Sequence, residues 1–132
     1  CCCVGRAFDR LCLPEHGPGW LSHHGGHPGG APCNFLAALN KYGAKTAFLG
    51  KVGNDTFGAL LRRTLEQSGI DTRGLLTDSA VFTTLAFVTF DAQGDRSFSF
   101  ARKPGADILL HEKELDFSLI DQARYSTSVP SA

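Results

Sequence analysis

The chain has 132 residues, in which 13 Lys and Arg balance 13 Asp and Glu, and 42% of its residues are hydrophobic. That length can bury one core, and the balanced charge gives no reason to expect nucleic acid or a membrane surface as a partner. No apolar run reaches the roughly 20 residues of a membrane span and the N-terminus does not resemble a signal peptide, so we expect a cytoplasmic protein.

Residues 1–27 are rich in glycine and show no sustained hydrophobic period. We therefore predict that they are irregular and that they do not form a central strand. Of the five cysteines, three are adjacent at the N-terminus and two, Cys12 and Cys33, stand alone, which fits neither a disulfide framework nor a zinc site. The three histidines within residues 23–27 lie in a glycine loop that is a poor platform for ligands, so we predict no metal site.

A polar glycine loop leads directly into a helix near Pro32. Gly29 and Gly30 have no side chains, so a small polar ligand can approach their backbone, and Asn34 offers an amide donor and a carbonyl acceptor. Pro32 suits the first turn of a helix, whose free N–H groups point toward the loop. The pattern predicts a site that binds hydroxyl groups. The alternative is that the glycines only turn the chain.

Helical spacing of apolar residues predicts two helices, within residues 34–42 and 56–68. Gly43 and Gly69 follow them, and glycine commonly takes the left-handed position that ends a helix. The apolar run 46–49 between them has the length of a strand. Loop, helix, strand and helix in this order predict an α/β fold.

A second glycine-rich segment, residues 50–55, is predicted to form a loop before the second helix. It is not a phosphate loop, because the Walker pattern requires Ser or Thr after Gly-Lys. Lys51 is either a pocket residue or a solvated charge. Asp55 is either a pocket residue or the cap of the following helix.

The hydrophobic period changes to two within residues 83–90 and 96–102, with residues 91–95 as a turn between them. This pattern predicts an antiparallel hairpin, a candidate lid, with Phe98 and Phe100 on one face. These two rings either pack in a core or stack on a ligand. Residues 112–123 return to helical spacing.

Five segments and a glycine, in chain order, resemble the pfkB or ribokinase-like carbohydrate kinases, and within them the bacterial fructokinases. The segments are GGAPCN, GKVGNDTFG, GIDT, TTLAFV and DRSFSFARKPGAD, with Gly43 after the first helix. The resemblance covers residues 28–123. It implies a Rossmann-like, three-layer α/β/α fold whose small β-sheet lid covers the sugar and pairs with a second subunit. It also implies ATP-dependent phosphoryl transfer to a hydroxyl of fructose or a related sugar.

The resemblance implies a set of sugar-binding residues, in which Phe100 stacks on the sugar and Arg102 holds a hydroxyl or a carboxylate. The set is Gly29, Gly30, Asn34, Lys51, Phe100 and Arg102. The alternative for Arg102 is an ordinary surface pair with Asp107. The family's catalytic Asp and its site for ATP and Mg²⁺ lie in the C-terminal half, so we assign no catalytic or cofactor residue here. We expect a truncated, inactive chain. The alternatives are a non-enzymatic sugar-binding or interaction module and a decayed gene fragment.

A codon argument bears on both ends of the chain. Codons permitted for residues 5–24, read one nucleotide later, can spell a segment that begins GELLIDF and resembles a fructokinase strand. Codons permitted for residues 124–132, read two nucleotides later, can spell LFHFGSVS, which is similar to the next strand. We therefore predict that residues 1–27 and 124–132 are frame-shifted, and that residues 28–123 are the N-terminal part of a kinase domain, with a lid hairpin at about 83–102.

Overall fold

The computed structural model of the chain describes residues 2–4, 8–12 and 25–128. The strands in these ranges are β1 (Cys2–Val4), β2 (Phe8–Cys12), β3 (Gly25–Gly29), β4 (Ala47–Gly53), β5 (Leu75–Asp78), β6 (Leu85–Phe90), β7 (Arg96–Ala101) and β8 (Ser126–Ser128). The α-helices are α1 (Ala31–Lys41), α2 (Thr56–Gln67) and α3 (Phe117–Asp121). Two 3₁₀ helices, Ala106–Leu109 and Glu112–Glu114, lie between β7 and α3.

The main sheet has the strand order β5-β4-β1-β8, and its strands are parallel. Its longest strand, β4, is buried over nearly all of its length. Successive side chains of a strand point to opposite faces, so β4 serves two cores. Phe48 and Val52 pack with the buried residues of α1 and α2, whereas Leu49 packs with Leu119 of α3. Helices on both faces of a parallel sheet make an α/β architecture, as predicted.

The predicted caps of the two long helices are present. Helix α1 has Pro32 in its first turn and Gly43, at φ 82°, after its last residue. Helix α2 begins after Asp55, whose side chain accepts a hydrogen bond from the Gly58 N–H, and Gly69 follows its end at φ 73°. Both helices therefore agree with the sequence prediction to within a few residues.

The second sheet, which we call the lid sheet, has the strand order β3-β2-β6-β7. Strands β6 and β7 form the predicted antiparallel hairpin, in which Val88 lies opposite Phe98 and Ala86 lies opposite Phe100. Directly opposed residues share a face, so the two phenylalanines lie on the same face as two buried residues. Both rings remain about half exposed, so the core alternative does not hold for either of them.

The prediction that residues 1–27 are irregular is wrong for the described part of that range. Strand β1 pairs with β4 on one side and with β8 on the other, which makes it a central strand, while β2 and β3 belong to the lid sheet. Likewise, the tail at 124–132 contributes β8. Strands of three to five residues are too short to show a period, and their pairing with neighbouring strands decides their conformation.

Two boundaries also differ from the sequence prediction. The predicted loop at 50–55 is strand as far as Gly53, because β4 pairs with β5 from Gly50 to Gly53. The predicted helix at 112–123 is divided into a 3₁₀ turn and the short helix α3, because Asp116 takes an extended conformation and its side chain caps α3 through the Ser118 N–H. Among the described residues, no helix has the length and apolarity needed to cross a membrane.

Candidate functional site

The junction between β3 and α1 is built on glycine. Gly29 and Gly30 are both buried, and Gly30 takes φ 114° as the residue before the helix, a conformation that favours glycine. The Gly30 carbonyl accepts a hydrogen bond from the Asn34 N–H at 3.0 Å, and the Asn34 side chain is exposed. Gly29 and Asn34 line the same small cavity, of about 80 Å³, between α1 and α2.

A larger cavity lies at the base of the lid hairpin and has a volume of about 370 Å³. Ligand pockets for small molecules typically measure about 300 to 1,000 Å³, so this cavity, and not the one beside Gly29, has room for a sugar. Its walls combine aromatic rings with cationic side chains. They are formed by Phe57, Phe82, Thr83, Leu85, Phe100, Ala101, Arg102, Lys103 and Pro104.

A charge pair forms one wall of this lid-base cavity. Arg102 Nη2 donates to Asp107 Oδ2 at 2.7 Å, and the Thr84 hydroxyl donates to Asp107 Oδ1. Only 1% of the Asp107 side chain and 19% of the Arg102 side chain are exposed. The pair expected from the sequence therefore exists, but its carboxylate is buried and its guanidinium is only partly exposed, so it is not an ordinary surface pair.

A second carboxylate holds the start of the same hairpin. Asp55 accepts hydrogen bonds from the Thr83 N–H at 2.7 Å and from the Thr83 hydroxyl at 2.9 Å, in addition to its bond from Gly58. Burial of the carboxyl raises the pKa of Asp55, but the hydrogen bonds from Thr83 and Gly58 together hold that pKa below its usual value. Asp55 therefore caps α2, which is one of the two roles predicted for it, and it also anchors the lid.

Lys51 is buried, with 6% of its side chain exposed, and its ammonium is occupied by protein groups. Nζ donates to both carboxylate oxygens of Glu114, at 2.6 and 2.7 Å, and to the Leu109 carbonyl at 3.0 Å. The Asp78 Oδ2 atom lies 3.7 Å from the same Nζ. The hydrogen bond from Lys51 is the main cause that lowers the pKa of Glu114. The alternative of a solvated loop charge is therefore wrong, and a contact between Lys51 and sugar stays a prediction.

The six predicted site residues thus fall into three places. Gly29, Gly30 and Asn34 form the β3–α1 junction, and Phe100 and Arg102 line the lid-base cavity. Lys51 lines neither of these two cavities. The roles of Thr83 and Thr84 could not be predicted from the sequence, because the carboxylates that they contact are distant along the chain.

The described residues contain no group of three or more His, Cys, Asp or Glu side chains that could hold a metal ion. His23 and His24 lie outside the described residues. No described residue is assigned to ATP or Mg²⁺.

Comparison with known proteins accounts for this arrangement. Residues 1–128 match the pfkB family carbohydrate kinases, a longer range than the predicted 28–123. The chain is 46% identical over 97 residues to probable fructokinase-5 of Arabidopsis thaliana and 47% identical over 97 residues to fructokinase-2 of Zea mays. These matches cover 74% of this chain but only 30% and 29% of the relatives, so the chain spans about a third of their length.

Solved structures give the same result. The fructokinase of Xylella fastidiosa superposes with a TM-score of 0.88 at 33% identity, over 96% of this chain and 41% of that one. A putative ribokinase II of E. coli, solved in complex with ATP and Mg²⁺, superposes with a TM-score of 0.84 at 26% identity, over 96% and 41% of the two chains. The predicted ribokinase-like fold is confirmed. The chain belongs to the pfkB family of carbohydrate kinases.

Proposed function

We propose that this chain is the N-terminal, sugar-binding part of a fructokinase-like kinase, whose whole reaction is ATP-dependent phosphoryl transfer to a hydroxyl of fructose or a close relative. The observation that carries the proposal is the β3–α1 junction, where Gly30 at positive φ allows the backbone to approach a ligand and Asn34 presents its amide. The fructokinases among the relatives support the choice of sugar.

The proposed sugar contacts are those of the junction together with the lid-base cavity. Asn34 donates to and accepts from sugar hydroxyls, the Phe100 ring stacks on the apolar face of the sugar, and Arg102 donates to a hydroxyl. Lys51 can take part only if its ammonium leaves Glu114, because both carboxylate oxygens of Glu114 already accept from it.

Calorimetric titration of the 132-residue chain with fructose tests this proposal. We expect binding, and we expect Asn34→Ala to weaken it about tenfold, because a lost hydrogen bond to a ligand is worth about 1 kcal/mol or more. Asn54→Ala is the matched control, since Asn54 is also exposed but precedes α2. Equal affinities in the wild type and both variants, or no binding by the wild type, would reject the proposal.

A coupled ATPase assay on the same sample tests the remaining part. We propose that the chain by itself binds sugar without phosphorylating it, since the resemblance assigns the catalytic Asp and the ATP site to the family's C-terminal half. Release of ADP that depends on fructose would overturn this. A chain that binds neither sugar nor nucleotide would favour the decayed fragment.

Three further proposals rest on the sequence interpretation. The frame shifts at 1–27 and 124–132 are tested by resequencing the encoding DNA, which must be able to spell GELLIDF in a second frame. Homodimerisation through the lid is tested by sedimentation velocity at several concentrations. Cytoplasmic location stays a prediction that imaging of a tagged chain would check.

A further inference from the structure

The buried pair of Arg102 and Asp107 sets the charge that the lid-base cavity presents to a ligand. The Asp107 carboxylate has 1% of its side chain exposed, and it accepts from Arg102 on one oxygen and from the Thr84 hydroxyl on the other. An opposite charge at hydrogen-bond distance neutralises the field of the guanidinium. Arg102 therefore reaches the cavity as a hydrogen-bond donor with little net charge.

The backbone around Asp107 holds this arrangement in place. The Ala106 N–H donates to the Phe82 carbonyl at 3.0 Å, which joins the segment to the start of the lid hairpin. A side chain on Gly105 would overlap the Thr84 hydroxyl and crowd Asp107, so the chain packs there without free space. Asp107 is therefore closely packed on the side of Gly105.

Arg102 lines the cavity and keeps donor capacity that Asp107 does not use. Its Nε is buried and has no hydrogen-bond partner among the described residues. A neutral hydroxyl can accept from the guanidinium while Asp107 stays in place. A carboxylate on the ligand would instead compete with Asp107 for the same cation and would lie near a second buried anion, which is unfavourable. Lys103 also lines the cavity, but it is exposed and its charge is screened by water.

We propose that Asp107 is a specificity-determining residue: by neutralising Arg102, it makes the lid-base cavity select neutral sugars and reject sugar acids. This inference rests on the proposed function, because it takes the sugar to bind beside Arg102. It assigns to Asp107 a role in choosing the substrate class, without direct contact with the sugar.

Two ligands that differ in one group provide the test. Fructose and 2-keto-gluconate have the same carbon skeleton, and the second carries a carboxylate where the first has its terminal hydroxymethyl group beside the ketone. By calorimetry on the 132-residue chain, we expect the wild type to prefer fructose by at least about tenfold, the scale of one charge-assisted hydrogen bond. Asp107→Asn should raise the affinity for 2-keto-gluconate by at least about tenfold, because Arg102 then offers an unpaired charge.

Two controls separate charge from general damage. The double variant Arg102→Gln, Asp107→Asn loses both charges and should lose the gain in affinity for 2-keto-gluconate. Thr84→Val removes the hydroxyl from the same network but keeps both charges, so the ratio of the two affinities should stay within about twofold of the wild type. If circular dichroism shows that Asp107→Asn is unfolded, Asp107→Ser, which is also uncharged, takes its place.

The measurements distinguish failure of the role proposed for Asp107 from failure of the proposed function. No gain in affinity for 2-keto-gluconate in the folded Asp107 variant overturns the inference, even if the wild type binds fructose and the proposed function stands. A wild type that prefers fructose, together with a gain in the Asp107 variant that the double variant loses, supports the inference. A wild type that fails to bind fructose overturns the proposed function and the inference with it. Equal affinity of the wild type for both ligands also overturns the inference.

Discussion

A single carboxylate, Asp55, joins three segments of the chain: the end of β4, the first turn of α2 and the start of the lid hairpin. It accepts from the Gly58 N–H at 2.8 Å and from both polar groups of Thr83, while the Thr83 hydroxyl accepts from the Gly53 N–H at 3.0 Å. Removing one acceptor therefore leaves donors of the helix and of the lid without partners.

We predict that Asp55→Ala lowers the free energy of unfolding by about 2 kcal/mol, since a lost helix cap costs about 1 kcal/mol and a buried unsatisfied N–H costs a similar amount. Urea denaturation followed by circular dichroism measures the change. Asp55→Asn keeps an acceptor and should cost less than half as much. Equal losses in the two variants would contradict the role of the side-chain oxygens.

The lowered pKa of Asp55 also predicts how stability depends on pH. A carboxyl whose pKa is lower in the folded state stabilises the fold above its unfolded pKa, near 3.9, and loses that contribution as pH falls through the folded value. The wild type should therefore lose more stability than Asp55→Asn between about pH 5 and pH 3. Parallel pH dependences in urea titrations of the two proteins would show that Asp55 does not contribute.

A second prediction at the residue scale contrasts two ion pairs. Lys51 is buried against Glu114, whereas Arg73 is 68% exposed and pairs with Asp71 at the surface. We expect Lys51→Met to lower the Tm by at least about 5 °C, because it leaves a carboxylate and a carbonyl without their donor, and we expect Arg73→Met to change it by less than about 2 °C. Thermal denaturation of the two variants and the wild type measures these changes in Tm. Similar small shifts in both variants would mean that burial adds nothing to the Lys51 pair.

The predictability of single residues followed the range of their contacts. Asp55 as a cap and Gly43 as a helix terminator were predictable, because the residues that cap a helix lie within a few residues of its end in the sequence. The burial of Lys51 was not, since its partner Glu114 lies 63 residues away. The pair of Arg102 and Asp107 was predictable from its spacing, but its burial depends on Thr84, which belongs to another strand end.

At the scale of elements, the contact between β4 and α2 depends on two glycines. A Cβ on Gly58 would overlap the Gly53 carbonyl oxygen, so the first turn of α2 and the end of β4 touch through their backbones. Gly94, in contrast, lies in the lid turn with no atom near the place of a Cβ. The two positions separate the effect of steric overlap, at Gly58, from the effect of a positive φ, at Gly94.

We predict that Gly58→Ala destabilises the protein by about 1 to 3 kcal/mol, although alanine favours a helix interior by about 1 kcal/mol, because the overlap with backbone cannot relax through a side chain. Gly94→Ala should cost about 1 kcal/mol from its positive φ alone. Chemical denaturation compares the two variants. A Gly58→Ala protein as stable as the wild type would show that β4 and α2 can separate at no cost.

Elements with a strong period were predicted best. Helices α1 and α2 and the β6–β7 hairpin repeat their apolar residues often enough to fix type and position. The prediction of one helix at 112–123 was wrong because Asp116 caps a new helix within that range, and the spacing of apolar residues does not reveal a cap. Strands β1 and β8 have three residues each, and only the sheet around them makes them strands.

At the scale of the whole molecule, the lid sheet presents an exposed aromatic face. The Phe98 and Phe100 rings lie 6.4 Å apart, centroid to centroid, and are stacked in nearly parallel planes. Phe90 is exposed on the same hairpin. An apolar patch of this kind is typical of a contact surface, which agrees with the proposed pairing of two lids.

We predict that the chain associates in a concentration-dependent way and that Phe98→Ser shifts it toward monomer. Phe117→Ser is the matched control, because Phe117 is exposed to the same degree, 49% against 48%, but lies on α3 and away from the lid. Sedimentation velocity at several concentrations measures the distribution. A monomeric wild type, or equal shifts in both variants, would reject association through the lid.

The alternation of side chains along β4 also determines the register in which β4 pairs with β5. Phe48 and Val52 point to the helices α1 and α2, while Leu49 and Lys51 point to the opposite side. A slip of β4 by one residue against β5 would exchange the two sets. The ammonium of Lys51 would then enter an apolar core, far from Glu114, and such a burial of an unpaired charge is prohibitive. Lys51 thus stabilises the observed register of β4 against β5 relative to the register that is shifted by one residue.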